Sequence, residues 1–565
     1  MRVPMRDGVA LSAHVFHPAG ATEPLPAVLI RQPYGKDDHP YLHARGVYWA
    51  RKGYVCVVQD VRGKYASQGR WEPVVNEADD GWDTLDWLAG QPWCNGDIGM
   101  AGESYHGLTQ WAVAGSGHPN LRCVAPGDTF PDLYRAVYPG GAFALMTMGE
   151  WAYEMDARRL RNRFRFDPWS LPLTGACGQA GAASPTFGEF VGRSRRDGFW
   201  RHRDLSHTRF SVPGLHWSGW YDVMLDGSLA GWRAAADRHG AAADAGVQQL
   251  VIAPTDHGLT PTRSGLVGRI PVERNAWSFD RVQRFFERWL RGVRNGVERD
   301  PAVQVYVVGA GRWRSGAAWP LPGTELVRYF LHARGAAGAR EGSLSPEAPT
   351  DEPADRFSYD PDAPVTYWLG RSLWDLAGEL DDRRPLEARP DVLVYSTPPL
   401  ATGLEVVGPL TATLYVSSSA PGTDFTAALV DVFPDGYAQL VQEGIVRLWG
   451  PDGDDRAASD AGGVARAVDH TVRGDADPVR EVVVDLCATG HLFAAGHRLR
   501  LEVSSSDFPR FDRNLNTGRT SGTDEHGAVA RQTVYHDRRH PSHLTLPLPP
   551  READDDATPL VDRRR

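Results

Sequence analysis

The chain has 565 residues, 42% of them hydrophobic and 23% charged, which is too long for one hydrophobic core and predicts roughly two to four domains. Its net charge of -10 gives no support for binding to nucleic acid or to an anionic membrane surface. No apolar run is long enough to cross a bilayer, and the first residues lack the apolar segment of a signal peptide, so we expect a cytoplasmic protein. The cysteines have no C-x-x-C spacing, which argues against a disulfide framework and against a metal site: Cys56, Cys94, Cys123, Cys177 and Cys487.

The N-terminal part of the chain predicts buried strands that alternate with helices. Residues 10–16 alternate like a strand, and residues 26–31 and 54–60 form short apolar runs of the buried-strand type. A helix that begins after Asn76 carries apolar side chains on one face. Strands separated by helices indicate βαβ units and a mostly parallel sheet, in which ligands bind at the carboxyl ends of the strands.

A glycine-flanked serine follows in the segment GMAGESYHG, residues 99–107. We interpret it as a nucleophile elbow: a strand through residues 98–101 turns sharply at Ser104 and enters a helix from about Leu108 to Gly115. The spacing departs from the common G-x-S-x-G pattern, because His106 stands where the second glycine is expected and Gly107 comes one place later. In a chain with 60 glycines such a motif is weak evidence by itself.

The strand pattern stops after Asp132 and resumes at about Val212, which predicts a helical or irregular insertion rich in aromatic residues. An insertion of this size in an α/β sheet is typical of a cap over an active site. The span from Arg135 to Arg203 contains eleven arginines and only six acidic residues. They fit either a solvated face with salt bridges or an electropositive cleft for an acidic substrate.

The remaining chain predicts the end of the parallel sheet and then a different architecture. Residues 214–217 and 249–253 form strands, and an amphipathic helix with Val282, Phe286 and Leu290 on its apolar face ends at Gly292. From about Pro301, short strands follow one another without helices, which indicates an antiparallel sandwich or jelly roll: residues 303–308, 410–416, 426–432, 481–486 and 498–503.

Three residues complete a candidate nucleophilic site. A serine needs a base in hydrogen-bond reach and a carboxylate that orients the base, and in α/β-hydrolases these residues occur in the order Ser, Asp, His. Ser104, Asp222 and His257 occur in this order, each just past a predicted strand. Asp226 and Asp256 are alternative acids, although Asp256 adjoins the histidine and would have difficulty reaching its ring. The non-catalytic alternatives are that His257 is an ordinary loop histidine and that Asp222 caps a turn.

A tetrahedral intermediate needs two donors for its oxyanion. The backbone N–H of Tyr105, directly after the serine, is one candidate. The phenol of Tyr34, in the turn after an early strand, is the other, and it is equally well explained as a packed turn aromatic.

These residues resemble the cocaine esterase-like hydrolases, which are grouped with X-Pro dipeptidyl peptidases, α-amino acid ester hydrolases and glutaryl cephalosporin acylases. The resemblance covers nearly the whole chain, and the elbow of that family has the glycine spacing seen here. It rests on these segments: RQPYGK (31–36), QDVRG (59–63), QPWCNG (91–96), GESYHG (102–107), GWYD (219–222), DH (256–257), FERWLRG (286–292) and SSSDFPRF (504–511).

The resemblance implies an α/β fold with an α/β-hydrolase domain in two parts, residues 1–132 and 209–322. A helical cap, residues 133–208, is inserted between them, and a C-terminal β jelly roll spans residues 323–565. It implies Ser104 as nucleophile, His257 as base, Asp222 as the partner of the base, and the Tyr34 hydroxyl with the Tyr105 amide as oxyanion hole. Neither a metal nor an organic cofactor is expected.

The substrate pocket is predicted to include His106, Trp151, Trp220, Arg161 and Arg163. In the amino-ester hydrolases an acidic residue at the position of His106 helps to hold the ammonium group of the substrate, so a free α-amine is less favoured here. The two arginines would suit a carboxylate-bearing acyl group.

We therefore expect a serine hydrolase that acts on a small ester or amide through an acyl-enzyme, with a carboxylesterase as the first choice. An acylase or X-Pro dipeptidyl peptidase and an acyltransferase are the alternatives that use the same intermediate. A non-catalytic protein that uses the jelly roll as a lectin-like binding module is the alternative from another class. We expect no nucleic-acid or membrane partner, and we expect a homodimer.

Overall fold

The computed structural model of the protein describes residues 1–161, 167–237, 248–333, 341–366, 380, 382–448, 468–469, 479–519 and 522–551. The strands of its N-terminal half are β1 (Arg2–Pro4), β2 (Ala10–Phe16), β3 (Leu25–Gln32), β4 (Val55–Asp60), β5 (Cys94–Glu103), β6 (Leu121–Gly127), β7 (Gly214–Gly219), β8 (Gln248–Ala253), β9 (Leu266–Val267), β10 (Ile270–Pro271), β11 (Val303–Val307) and β12 (Arg312–Gly316). Those of its C-terminal half are β13 (Glu325–His332), β14 (Glu341–Ser345), β15 (Asp355–Tyr359), β16 (Leu393–Ser396), β17 (Leu404–Ser418), β18 (Thr423–Val432), β19 (Ala438–Leu448), β20 (Val468–Asp469), β21 (Arg480–Phe493), β22 (Arg498–Ser504), β23 (Ala530–Tyr535) and β24 (His543–Leu548).

The α-helices fall mostly before residue 300. They are α1 (Pro40–Arg51), α2 (Glu77–Ala89), α3 (Tyr105–Ala114), α4 (Leu133–Val137), α5 (Glu150–Met155), α6 (Ala176–Gln179), α7 (Pro185–Gly192), α8 (Gly198–Arg201), α9 (Leu225–Asp237), α10 (Thr260–Ser264), α11 (Asp280–Arg291) and α12 (Arg384–Glu387). None of the described helices is long and apolar enough to cross a membrane.

The first sheet confirms the predicted α/β class. Among the described residues its strand order is β1-β2-β4-β3-β5-β6-β7-β8-β11-β12. The strands from β4 through β11 pair in parallel, and only the two edges of the sheet are antiparallel. The carboxyl ends of β3, β5, β6, β7 and β8 therefore lie along one edge of the sheet, where the site residues follow them.

The strand β11 belongs to this sheet, although its sequence was among the short strands that indicated the antiparallel architecture. It pairs in parallel with β8, with Val303 opposite Leu250. Its other neighbour, β12, is antiparallel. A short apolar run carries no information about its partner, and here the preceding helix α11 returns the chain to the parallel sheet.

The helix α11 has the predicted amphipathic form. Val282, Phe286 and Leu290 are buried on its inner face, in one apolar cluster with side chains of the parallel sheet. The helix ends at Gly292, which adopts the left-handed conformation with φ of 67°. Glycine reaches this conformation at little cost, which makes it a common terminator of helices.

The segment between β6 and β7 contains helices and turns, and the described residues between Gly127 and Gly214 contain no strand. It enters from the carboxyl edge of the sheet, so that it covers this edge. Its aromatic side chains form one apolar cluster with side chains of α3 and of the C-terminal half, including Tyr105, Trp151, Ile445 and Phe508. Three parts of the chain therefore meet above the carboxyl ends of the strands.

The C-terminal half forms a second sheet whose neighbours are antiparallel, except for the pair β14 and β16. It has its own apolar core, which includes Leu410, Phe425 and Leu501. It also contacts the first sheet directly, because the backbone N–H of Val308 donates to Gly490 O at 2.8 Å. These contacts fix the second sheet beside the carboxyl edge of the first.

Candidate active site

Ser104 occupies a strained turn between β5 and α3. Its φ of 59° and ψ of -130° lie in a region that residues with a side chain rarely adopt. The turn is held by its backbone N–H, which donates to the carbonyls of Gly127 at 2.9 Å and Asp128 at 3.0 Å at the end of β6. The helix begins at Tyr105, three residues earlier than predicted, because the turn takes only one residue.

Glycines are required on both sides of this turn. A β-carbon on Gly102 would lie 2.6 Å from Cβ of His106, and one on Gly107 would lie 2.7 Å from Cβ of Thr129. Both distances are far below van der Waals contact. The motif around Ser104 therefore follows from the close approach of strand, helix and the next strand.

His257 and Asp222 form a hydrogen-bonded pair. Nδ1 of His257 lies 2.8 Å from Oδ2 of Asp222, whose side chain is completely buried. The other oxygen of Asp222 accepts the backbone N–H of Met224 at 2.5 Å. Burial opposes protonation of His257, but the attraction of Asp222 outweighs it, and the pKa of His257 is raised above its ordinary value.

The two alternative acids are engaged elsewhere. Asp226 forms a bidentate ion pair with Arg135 of the insertion. One oxygen of Asp256 accepts the backbone N–H of Thr260 at 2.8 Å. Among the three candidate aspartates, Asp222 is the one that the structure places on the Nδ1 side of the imidazole.

Tyr34 brings a hydroxyl to the nucleophile turn. Its phenol oxygen lies 3.3 Å from Oγ of Ser104. The backbone of Tyr105 and the side chain of Trp151 lie close enough to this phenol to act on its pKa. Burial raises the pKa of Tyr34, so the phenol keeps its proton and can donate it. Two donors, the Tyr34 hydroxyl and the Tyr105 amide, therefore converge beside the serine.

Hydrogen bonds of the Tyr105 hydroxyl hold this residue, and with it the backbone amide, in place. The Tyr105 hydroxyl donates to Glu77 at 2.9 Å and accepts the backbone N–H of Val74 at 2.8 Å. Glu77 in turn pairs with buried Arg31 at 2.8 Å. The ring of Tyr105 stacks on that of Trp151, with 6.1 Å between the centroids and 23° between the planes.

The candidate pocket residue His106 lies under the Tyr34 ring. It is buried, and its ring meets that of Tyr34 edge-on at 5.6 Å between centroids. Burial lowers the pKa of His106 to about 3, so the imidazole is neutral near pH 7. The position therefore supplies no charge to a substrate.

Trp151 and Trp220 differ in location. Trp151 lies beside the Tyr34 hydroxyl, as described above. Trp220 is 1% exposed and donates its indole N–H to the carbonyl of Tyr306 at 2.6 Å. It packs in the core that the first sheet shares with the C-terminal half, and its place in the substrate pocket stays a prediction.

Several described arginines of the insertion form ion pairs. Arg135, Arg193 and Arg196 pair with acidic side chains of the same region or of α9. Arg161 lies over the ring of Tyr153, with 5.3 Å between its guanidinium and the ring centroid. Arg163 lies outside the described residues. The ion pairs favour the solvated-face interpretation of this arginine-rich stretch.

The sequence interpretation did not include Glu103, Arg45 and Asp128, which surround the turn. Glu103 is largely buried next to Ser104, with a side chain that is 13% exposed, and this burial raises its pKa to about 7. Arg45 lies 3.3 Å from Glu103 and packs on the ring of Phe279. A glutamate directly before the predicted nucleophile was a visible signal, whereas Asp128 had none.

A cavity of about 120 Å³ lies beside Asp222, where the three parts of the chain meet. Its apolar wall includes Met224, Ile445 and Phe511, which belong to the same apolar cluster as Tyr34 and Trp151. Its polar wall includes Asp226, Asp485, Glu443 and Arg510. Within the described ranges, no group of three or more His, Cys, Asp or Glu side chains is arranged to hold a metal ion.

Comparisons with known proteins match both halves of the chain. The X-Pro dipeptidyl-peptidase (S15 family) domain matches residues 7–259, and the X-Pro dipeptidyl-peptidase C-terminal non-catalytic domain matches residues 295–545. Cocaine esterase from a Rhodococcus species is 35% identical, with 97% of each chain aligned. Two solved structures are each 25% identical over 97% of this chain and 96% of theirs: an aminopeptidase from a marine-sediment Thaumarchaeota archaeon, with a TM-score of 0.81, and an α-amino acid ester hydrolase, with a TM-score of 0.80.

Proposed function

The chain belongs to the S15 family of X-Pro dipeptidyl peptidases and cocaine esterase-like serine hydrolases, and from this membership we propose that it cleaves carboxylic esters through an acyl-enzyme on Ser104. The observation that carries the proposal is the meeting of the Tyr34 hydroxyl and the Tyr105 N–H beside Ser104. Donors in this arrangement stabilise the negative charge that develops on the carbonyl oxygen when the serine attacks the carbonyl carbon. A serine that only capped a helix would not need them.

In the proposed mechanism His257 takes the proton of Ser104 as Oγ attacks the ester carbonyl. Asp222 accepts the Nδ1 hydrogen of His257 and stabilises the imidazolium that forms. The Tyr34 hydroxyl and the Tyr105 amide donate to the oxyanion. His257 then gives its proton to the departing alkoxide, which leaves an acyl group on Ser104.

Hydrolysis of the acyl group repeats these steps with water. His257 removes a proton from the water, the hydroxide adds to the acyl carbon, and the same two donors stabilise the second oxyanion. The bond to Oγ then breaks, and the proton held by His257 returns to Ser104. An amine or alcohol in place of water would make the same intermediate a donor for acyl transfer.

An ester is favoured over a substrate with a free α-amine by the environment of His106. This buried, neutral imidazole stands where the amino-ester hydrolases carry an acidic residue, so the position offers no counter-charge to an ammonium group. The 35% identity to cocaine esterase supports the same choice.

Hydrolysis of an amide next to a cationic amine is the second candidate. It is supported by Asp485 in the wall of the cavity beside Asp222, since the other two acids of this wall are paired, Asp226 with Arg135 and Glu443 with Arg510. It is also supported by the likeness to an aminopeptidase structure over nearly the whole chain.

A substrate panel tests both candidates. Neutral p-nitrophenyl esters, carboxylate-bearing esters and an X-Pro p-nitroanilide are compared on wild type, Ser104→Ala and Ser116→Ala. Ser116 is an exposed serine just beyond α3 and serves as the matched control. We expect neutral esters to be the best substrates, with turnover lost in Ser104→Ala and kept in Ser116→Ala. Turnover of the esters by Ser104→Ala at the wild-type rate would contradict the proposal.

A preference for the anilide would favour the second candidate. A preference for carboxylate-bearing esters that Arg161→Gln abolishes through a higher KM would support the anionic-substrate hypothesis for the insertion. An unchanged KM in Arg161→Gln would contradict the anionic-substrate hypothesis.

A further inference from the structure

A second buried carboxyl stands behind Asp222. Asp128 follows β6, and it has no solvent-exposed surface. Neither of its carboxyl oxygens accepts a hydrogen bond from a donor among the described residues. The polar side chains that it faces are the Asp222 carboxyl and the Ser218 hydroxyl. An ionised carboxylate in such a place would have at most the Ser218 hydroxyl to stabilise it, which is less than a buried charge normally receives.

The proton of this pair of carboxyls belongs on Asp128. Two carboxylates in contact cannot both be ionised without a large repulsion, so one of them holds a proton. Asp222 accepts hydrogen bonds from Nδ1 of His257 and from the backbone of Met224, and both favour its charged form. Burial, followed by the charge of Asp222, raises the pKa of Asp128 well above its ordinary value.

The backbone of Asp128 connects the same residue to the nucleophile turn. Its carbonyl accepts the N–H of Ser104 at 3.0 Å, and its own N–H donates to Trp217 O at 2.9 Å. Its φ of 41° lies in the left-handed region, which is unfavourable for a residue with a side chain. The turn therefore holds the Asp128 carboxyl against Asp222 in a conformation that the chain would not adopt locally.

We propose that Asp128 is a positioning residue that keeps its proton at neutral pH and donates it in a hydrogen bond to the Asp222 carboxylate. The inference rests on the proposed roles of Asp222 and His257. The proton stays on Asp128 throughout the reaction, so the pair carries one negative charge before and after each step. Asp222 is thereby held with one oxygen toward His257, and part of its charge is drawn away from the imidazole.

This hydrogen bond sets how basic His257 is. The charged or titratable groups that act on His257 include Asp222, Glu103 and Asp256, and the neighbouring His106 is neutral near pH 7. A donor on Asp222 weakens its attraction for the imidazolium. Loss of the donor is therefore expected to raise the pKa of His257, and the acid limb of kcat/KM moves to higher pH by about one unit.

The test compares Asp128→Asn with Asp128→Leu. Asparagine is nearly isosteric, is neutral at every pH and can donate to Asp222, whereas leucine has a similar volume and no donor. We expect Asp128→Asn to keep the wild-type acid limb and most of kcat, and Asp128→Leu to shift the limb upward and lose about tenfold in kcat. A shift in Asp128→Asn equal to that in Asp128→Leu would overturn the proposal.

An infrared measurement tests the proton independently of activity. The difference spectrum between wild type and Asp128→Asn at pH 8 should contain the C=O stretch of a protonated carboxylic acid. A difference that contains only carboxylate bands would mean that Asp128 is ionised and would overturn the proposal. If Asp128→Asn does not fold, Asp128→Ser supplies a smaller neutral donor for the same spectrum.

The two measurements separate this inference from the proposed function. If wild type shows the protonated band but has no esterase activity, the assignment of the reaction fails while the protonated carboxyl stands. If wild type is active and Ser104→Ala is not, but the band is absent, the reaction stands and the role of Asp128 fails.

Discussion

Replacement of Tyr34 by phenylalanine isolates the contribution of one oxyanion donor. The phenol oxygen lies 3.3 Å from Oγ of Ser104, and the ring is packed on His106, so the substitution removes a hydroxyl and leaves the ring in place. Loss of one such donor costs about 2.7–4 kcal/mol of transition-state stabilisation, which corresponds to about 100-fold to 1,000-fold in kcat. The side chain of Trp151 lies near the Tyr34 phenol and therefore near the vacated position.

Because the Trp151 N–H can move partly into this position, we expect the lower end of the range, about 100-fold. KM should change little, since the donor serves the oxyanion and not the ground-state carbonyl. Stopped-flow acylation with a p-nitrophenyl ester measures the chemical step directly.

Tyr415→Phe is the matched control. The Tyr415 hydroxyl donates to Glu481 at 2.8 Å in the second sheet. The Tyr415→Phe variant therefore also loses a partly buried hydrogen bond of a tyrosine hydroxyl, but one in the second sheet and not at the serine. We expect its acylation rate to equal that of wild type. A loss of less than about threefold in Tyr34→Phe, with the fold intact by circular dichroism, would refute the oxyanion role of Tyr34.

Three further predictions follow from the geometry of the site and the core. The pKa of His257 is raised because the attraction of Asp222 outweighs the effect of burial. Only the neutral imidazole can act as a base, so kcat/KM should fall as the pH decreases through the raised pKa of His257, which lies above the ordinary pKa of histidine. Asp222→Asn should move this limb to lower pH and reduce kcat about ten-thousandfold; an unmoved limb in the pH profile would contradict the pairing. Gly102→Ala should destabilise the protein by about 2 kcal/mol or more in urea unfolding, since its φ is 127° and its β-carbon would clash at 2.6 Å, whereas Gly178→Ala, with open space around it, should not. Trp220→Ala should lower the free energy of unfolding by about 3–5 kcal/mol, because it leaves a cavity in the core. A stable but inactive variant would instead support the predicted role of Trp220 in the substrate pocket.

The parallel sheet and the second sheet were predictable because their signals are local. Apolar runs of strand length with helices between them have few arrangements other than βαβ units, and the amphipathic period of α11 matched its buried face. The start of α3 was predicted three residues late, because Ser104 makes the turn alone in a conformation that sequence patterns do not encode. The strand β11 was grouped with the later strands, because its partner β8 lies about fifty residues earlier in the chain.

Side-chain directions were the part that the sequence could not supply. Trp151 and Trp220 are both tryptophans near predicted site residues, yet one lies beside the Tyr34 hydroxyl and the other lies in the core between the sheets. His106 lies one residue after Tyr105, and the helix turns its ring under Tyr34. Asp128 was missed for a different reason: an aspartate after a strand is ordinary, and only the burial of its carboxyl against Asp222 distinguishes it.

The proposed acyl-enzyme is tested most directly by trapping it. Wild type and Ser104→Ala are mixed with excess p-nitrophenyl ester, the release of p-nitrophenol is followed through the first turnover, and the quenched proteins are digested for peptide mass analysis. We expect a burst of about one equivalent per chain in wild type and an acyl group on the peptide that contains Ser104, with neither in Ser104→Ala. An acyl group on another residue, or a burst of the same size in Ser104→Ala, would contradict it.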